Sequence, residues 1–226
     1  MEKTAVFNLI ILDESGSMSD CTLATISGCN EAINVARNLQ KKLADKQNTF
    51  ISIYAFQSDG PVPSRYLCKN ESIEKVKDIT RRDYSPCGCT PLLDAVGATL
   101  VDLKSVAATH EDALGVVTII TDGYENSSTH YTYHQVRSLI SQLKELGWTF
   151  NFIGANIDVE EVSSKLNIDN AMSWTNDDEG TKEMFRHYSQ SYAEATEDRI
   201  AEESAICSPC ERVASRKRRS TGFFKK

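Results

Sequence analysis

Two stretches of this 226-residue chain, residues 9–12 and 116–120, are apolar at nearly every position. A strand with one face in water alternates apolar and polar residues, whereas a strand covered on both faces has no such need. These two segments are therefore expected at the centre of a sheet with helices on both sides. Residues 5–12, 50–56, 115–121 and 148–153 are predicted strands. Between them, Cys29, Ala32, Ile33, Ala36, Leu39 and Leu43 recur at helical spacing. Val136, Leu139, Ile140, Leu143 and Leu146 do the same, with Gly147 placed to end that helix. Asp158 with Glu161 is a capping-box pattern opening another helix. A last helical stretch covers 177–203, with Met184, Phe185, Tyr188, Tyr192 and Ala195 along one stripe. Strand–helix alternation of this kind implies a parallel sheet with right-handed crossovers. One segment departs from it. Asp59-Gly60-Pro61 is a turn signal straight after the second strand, so residues 65–68 can fold back as a short antiparallel edge strand.

The chemistry gathers at the ends of the predicted strands, where open parallel sheets bind ligands. Asp13-Glu14-Ser15-Gly16-Ser17-Met18 follows the first strand and puts one carboxylate and two hydroxyls on a turning loop. These are hard oxygen donors, suited to Mg²⁺ rather than Zn²⁺. Gly16 is read as the residue that lets the loop turn tightly. A second carboxylate stands in Thr121-Asp122-Gly123, after another buried strand. A third element, Cys87-Gly88-Cys89-Thr90-Pro91-Leu92, supplies the Thr90 hydroxyl at a helix start, with Pro91 suited to the first helical position. Singly, these residues read as turn or cap residues. Together they form D-x-S-x-S, T-P-L and T-D-G, a combination that chance rarely gives.

These three segments resemble the metal-ion-dependent adhesion site of the von Willebrand factor A domain family. They stand in the family's order, and the likeness covers about residues 3–200. The resemblance implies a doubly wound, Rossmann-like α/β fold. Its six-stranded sheet is mostly parallel, in the order 3-2-1-4-5-6, with one antiparallel edge strand and helices on both faces. It implies Ser15, Ser17 and Thr90 as direct metal ligands, and Asp13 and Asp122 acting through water. The metal would be Mg²⁺, or Mn²⁺ or Ca²⁺, with one position open for an acidic residue of a partner protein. Among family members the chain is similar to small, stand-alone bacterial cytoplasmic ones of the tellurium-resistance and stress-response type. Those are encoded near an ATPase, kinase or phosphatase, so the resemblance implies an assembly role with such a protein as a candidate partner. Bacterial members often carry Gly-Gly-Thr where this chain has Gly88-Cys89-Thr90, which places a thiol beside the metal loop.

Charge and cysteine content narrow the alternatives. The net charge is −7, yet residues 212–226 hold seven basic residues and no acids, so the remainder carries −14. An acidic body argues against nucleic acid as partner. Residues 1–205 are read as the domain and 206–226 as a basic, flexible tail, either solvated or touching phosphates or an acidic partner. The apolar run 5–12 is too short to cross a membrane and lacks a cleavage site, so a cytoplasmic protein with no membrane partner is expected. Its seven cysteines are expected as free thiols, and Cys207 and Cys210 are not expected to join Cys87 and Cys89 around zinc. His130 and His134 are read as surface residues. Glu14 and Glu125 either line the mouth of the site or lie solvated in its loops.

The function expected from this reading is adhesion or assembly through a divalent cation, without catalysis. An alternative is a Mg²⁺-dependent phosphohydrolase of the haloacid dehalogenase type, but that chemistry needs an acid two residues after the nucleophilic Asp, where this chain has Ser15. A nucleotide-binding reading lacks the G-x-G-x-x-G turn after the first strand. A scaffold with a purely structural metal is the remaining alternative.

Overall fold

The computed structural model describes residues 3–206 and 208–224. Its sheet has six strands: β1 (Thr4–Asp13), β2 (Gln47–Phe56), β3 (Arg65–Ser72), β4 (Ala113–Thr121), β5 (Thr149–Gly154) and β6 (Asn170–Ser173). They lie in the order β3-β2-β1-β4-β5-β6. All neighbours are parallel except β2 and β3. The expected fold class and strand order therefore hold. Strand β6 is only four residues long, which is why periodicity gives it no signal.

The helices are α1 (Thr22–Leu43), α2 (Leu92–Ala107), α3 (Tyr133–Glu145), α4 (Val159–Leu166), α5 (Asp178–Glu203) and α6 (Pro209–Arg219). Every residue of β1 is buried, and its alternate side chains enter different cores. Phe7, Leu9 and Ile11 pack with residues of α2, α3 and α4. Ile10 and Leu12 pack with residues of α1 and α5. This two-sided burial is what the continuous apolar runs require. Helix α5 seats Phe185 on Gly28 of α1, where a Cβ would lie only 2.1 Å from the ring. Gly147 ends α3 with φ +83°, as its position predicts.

Of the segment 206–226, expected as a flexible tail, the described residues 208–224 are packed on the body. Residues 209–219 form α6, packed at the pole where β1 and β4 begin. Arg216 is 3% exposed. It donates to Glu203 at 2.7 Å and to Asp112 at 2.6 Å. Lys217 pairs with Glu145 at 2.5 Å, and Arg218 pairs with Glu202 at 3.1 Å. Phe223 is buried against Tyr188, and its N–H donates to Asn170 Oδ1 at 3.0 Å. The segment has few apolar residues but finds acids on the body to neutralise it, and that complementarity docks it. Among the described residues Arg216 is spent in the interior, while Lys217, Arg218 and Arg219 pair with acids at the surface.

Candidate metal centre

Strands β1 and β4 are neighbours at the centre of the sheet, and they end beside one another. From β1 the chain moves outward to β2, and from β4 it moves the opposite way to β5. The loops diverge here, at the place where open parallel sheets bind their ligands. Asp13 is the last residue of β1, and Asp122 follows the last residue of β4.

The Asp13 carboxylate is clamped. Its Oδ1 accepts the Ser15 N–H at 2.7 Å and its Oδ2 accepts the Thr121 hydroxyl at 2.6 Å. The Tyr84 hydroxyl donates to the Asp13 backbone carbonyl at 2.7 Å. A short 3₁₀ helix, Gly16–Cys21, then turns the chain, with Ser15 at its N-cap. That turn brings Ser15 Oγ and Ser17 Oγ to 3.1 Å, and Ser17 Oγ donates to Asp122 Oδ1 at 2.6 Å.

The glycine this geometry demands is Gly88 rather than Gly16. A Cβ on Gly16 would make only ordinary contact, 3.6 Å from the Gly88 carbonyl oxygen. Gly88 has φ +75°, and a Cβ there would lie 1.8 Å from the Ser58 carbonyl oxygen. Its own carbonyl accepts the Gly16 N–H at 3.1 Å, which ties the first loop to the third segment.

Thr90 is buried and belongs to the same end of the sheet. Its N–H donates to Asn126 at 2.8 Å, and its hydroxyl faces Gly123, where a Cβ would lie 3.2 Å away. It does not cap the helix. Helix α2 starts at Leu92 with Pro91 at the N-cap, one place earlier than expected for that proline. The free N–H groups of its first turn, on Leu93 and Asp94, donate to Glu125 and Ser128 from the loop after β4. The structure thus brings Asp13, Ser15, Ser17 and Asp122 into one bonded cluster and sets Thr90 on the neighbouring loop.

The charges are unevenly balanced. Burial pushes the Asp13 carboxyl up to about 6, and the nearby Asp122 adds to the rise, while the Thr121 and Ser15 hydrogen bonds oppose it. Burial also raises Asp122. No basic side chain pairs with either carboxylate among the described residues. Glu14 is treated differently. It is 0% exposed and receives both Arg65 nitrogens, at 2.6 and 3.1 Å, and the Ser85 N–H at 2.6 Å. It therefore neither lines the mouth of the site nor lies in solvent. Glu125 is also spent internally, on the N–H groups of Leu93, Ser127 and Ser128.

The family profile of the von Willebrand factor type A domain matches residues 9–187. The chain belongs to that family. No protein of curated function shows significant similarity to this A domain. Among solved structures it is similar to a von Willebrand factor type A protein from Catenulispora acidiphila. That match has 16% identity and a TM-score of 0.54, covering 84% of this chain and 43% of the other. It is similar to the pilus adhesin SpaC from Lactobacillus rhamnosus GG in its open conformation, with 11% identity, TM-score 0.59 and coverage of 85% and 30%. It is also similar to proximal thread matrix protein 1 of the mussel byssus, solved with a zinc-occupied MIDAS motif. There the identity is 16%, the TM-score 0.50 and the coverage 84% and 46%. These likenesses show the fold, and the A domain here spans less than half the length of each of the three.

The donor set suits a hard divalent cation. It consists of hydroxyl and carboxylate oxygens, with two acids that lack a counter-ion. Among the described residues no three His, Cys, Asp or Glu side chains gather as a further metal-holding group. Cys210 is an exposed free thiol, and Cys207 lies outside the described residues. His130 is exposed and bonds Asp94 at 3.1 Å. Cys89 is half-buried and joins Ser58 through backbone hydrogen bonds in both directions.

Sequence reasoning missed two residues of this A domain's site. Tyr84 reaches Asp13 from the long connection before α2. Asn176 comes from the loop between β6 and α5 and donates to Asp122 Oδ2 at 2.6 Å and to the Ser17 carbonyl at 3.3 Å. Neither follows a strand signalled by periodicity, so nothing local marks them.

Proposed function

We propose that this A domain binds a partner protein through a divalent cation held by Ser15, Ser17 and Thr90, with Asp13 and Asp122 acting through water. Mg²⁺ is the ion of choice, with Mn²⁺ or Ca²⁺ as substitutes. One observation carries the reading. Two neighbouring buried carboxylates, Asp13 and Asp122, stand without a cation, whereas Glu14 beside them is fully paired. A protein that neutralises one acid and leaves the next two unpaired has reserved them for a cation from outside. When bound, that cation offers a Lewis-acidic position to an Asp or Glu carboxylate of the partner.

The chain's own residues set the conditions for this. Thr121 and the Ser15 N–H fix both oxygens of Asp13. Ser17 orients Asp122. Gly88 fixes the segment that carries Thr90. The same contacts argue against a phosphohydrolase, since an Asp with both oxygens bonded and no exposed surface is poorly placed to attack phosphorus. We therefore read the domain as a binding module and not an enzyme. We further propose that it acts in the cytoplasm, a reading favoured by the described cysteines, all free thiols. An ATPase, kinase or phosphatase as its partner, as in tellurium-resistance systems, belongs to the same proposal and rests on the resemblance of the three loop segments.

The test is a pull-down from native lysate with wild type and Asp13→Ala, each in Mg²⁺ and in EDTA. A partner retained only by wild type in Mg²⁺ is expected. Equal capture in all four samples would leave the metal a structural role at most. Turnover of a generic phosphate monoester with Mg²⁺, absent in Asp13→Ala, would favour the hydrolase instead.

A further inference from the structure

The loop between β6 and α5 sends one side chain into the metal centre. Asn176 Nδ2 donates to Asp122 Oδ2 at 2.6 Å and to the Ser17 backbone carbonyl at 3.3 Å. Both of its hydrogens are thus directed at the two elements that flank the site. Ser17 holds the other oxygen of the same carboxylate, Oδ1, at 2.6 Å. Asp122 is therefore gripped from both sides, and the ring Ser17–Asp122–Asn176 closes on itself.

Two further features show that this placement is built. The loop is pinned on both sides of Asn176. Trp174 N–H donates to the Gly154 carbonyl at 3.1 Å, and Asp177 caps α5 by accepting the Gly180 N–H at 2.7 Å. Gly180 lets the Thr175 carbonyl pack so closely that a Cβ would meet it at 2.3 Å. The second feature is a cost. Asn176 Oδ1 is buried with no hydrogen-bond partner. An amide turned the other way would face its oxygen toward two acceptors, so the observed orientation serves the site and leaves its own oxygen unmet.

We propose that Asn176 is a positioning residue of the metal centre, fixing the Asp122 carboxylate and the Ser17 backbone so that the oxygen donors present one rigid geometry. The assignment rests on the cation reading above. Rigidity matters most for Mg²⁺, which demands near-ideal octahedral geometry, whereas Ca²⁺ accepts irregular coordination. Asn176 is thereby a determinant of which ion the site prefers.

The experiment titrates Mg²⁺ and Ca²⁺ separately into the chelator-stripped 226-residue protein by calorimetry. It compares wild type, Asn176→Leu, which keeps the size and removes the donors, and Asp177→Ala, which removes the α5 cap without touching Asp122. Melting temperatures in EDTA report the folded state of each. Asn176→Leu is expected to weaken Mg²⁺ binding by about tenfold, as loss of a ligand-orienting partner does. Its Ca²⁺ affinity falls by a smaller factor, so the preference between the ions narrows. Asp177→Ala lowers the melting temperature and leaves that preference unchanged. Wild-type Mg²⁺ affinity in Asn176→Leu overturns the assignment alone. Equal losses for both ions, matched by Asp177→Ala, reduce Asn176 to a structural loop residue and also overturn it. Wild type that binds neither ion overturns the cation reading, and the assignment with it.

Discussion

Arg65 reaches across from the edge strand to hold Glu14, whose side chain is wholly buried one residue after Asp13. The pair makes two nitrogen–oxygen contacts, at 2.6 and 3.1 Å, and Arg65 also donates to the Asp83 carbonyl at 2.6 Å. It binds β1, β3 and the connection before α2 into one unit behind the metal loop.

Breaking that pair from one side leaves a buried charge alone. Arg65→Met is expected to cost about 3 kcal/mol of stability in urea denaturation. The double variant Glu14→Gln, Arg65→Met should recover much of the loss, because the unpaired charge is then gone. A single variant as stable as wild type would show that Glu14 does not depend on Arg65 for its buried place.

The pH dependence of the metal effect follows from Asp13. Its carboxyl is raised to about 6 in the metal-free fold, above the 3.8 of the unfolded chain. Between these values the folded state binds the proton more tightly, so this group withdraws stability as pH rises through the window. The total is on the order of 3 kcal/mol. A bound cation offsets the cost of ionisation. The rise in melting temperature produced by Mg²⁺ should therefore be larger at pH 7.5 than at pH 5. Asp13→Asn should flatten the difference, and an increment independent of pH in wild type would contradict the account.

Gly88→Ala tests the third segment. The left-handed backbone costs about 1–3 kcal/mol for a residue with a side chain. The contact with the Ser58 carbonyl forces a further shift. The variant should lose stability and bind Mg²⁺ more weakly, since Thr90 lies two residues on. Gly16→Ala has room and should be close to neutral in stability. Denaturation and calorimetry on the two variants compare them directly.

Arg216→Met should release α6. The guanidinium lies between Glu203 and Asp112, and its removal leaves both acids short of a partner at a cost of about 3–5 kcal/mol. Mg²⁺ affinity should not change, because the site lies at the other end of the sheet. Parallel loss of metal binding in a variant that remains folded would contradict this separation.

The central strands, and the meeting of the polar loop segments that follow them, were legible because each carries a local signal. Continuous apolar runs announce two-sided burial, and alternate hydroxyls after a strand announce a polar turn at the strand's end. Contacts made at long range carry no such signal. Glu14 looked like any loop acid until Arg65, 51 residues away, was placed beside it. Asn176 is 54 residues from Asp122 and sits behind a four-residue strand. Residues 209–219 read as part of a tail because their partners are acids of α3, α5 and the β4 approach, and hydropathy does not register charge complementarity.

The docking of α6 also fixes how the molecule can be held. Arg216 touches Thr4 at the start of β1, and Phe223 is tied to Asn170 at the start of β6. Both described ends of the chain thus leave from one pole. Asp13 closes β1 nine residues after Thr4, about 30 Å away at ordinary strand rise. Anything fastened to either end, whether an affinity tag, a sensor chip or another folded unit, hangs behind the domain and leaves the metal loops facing outward.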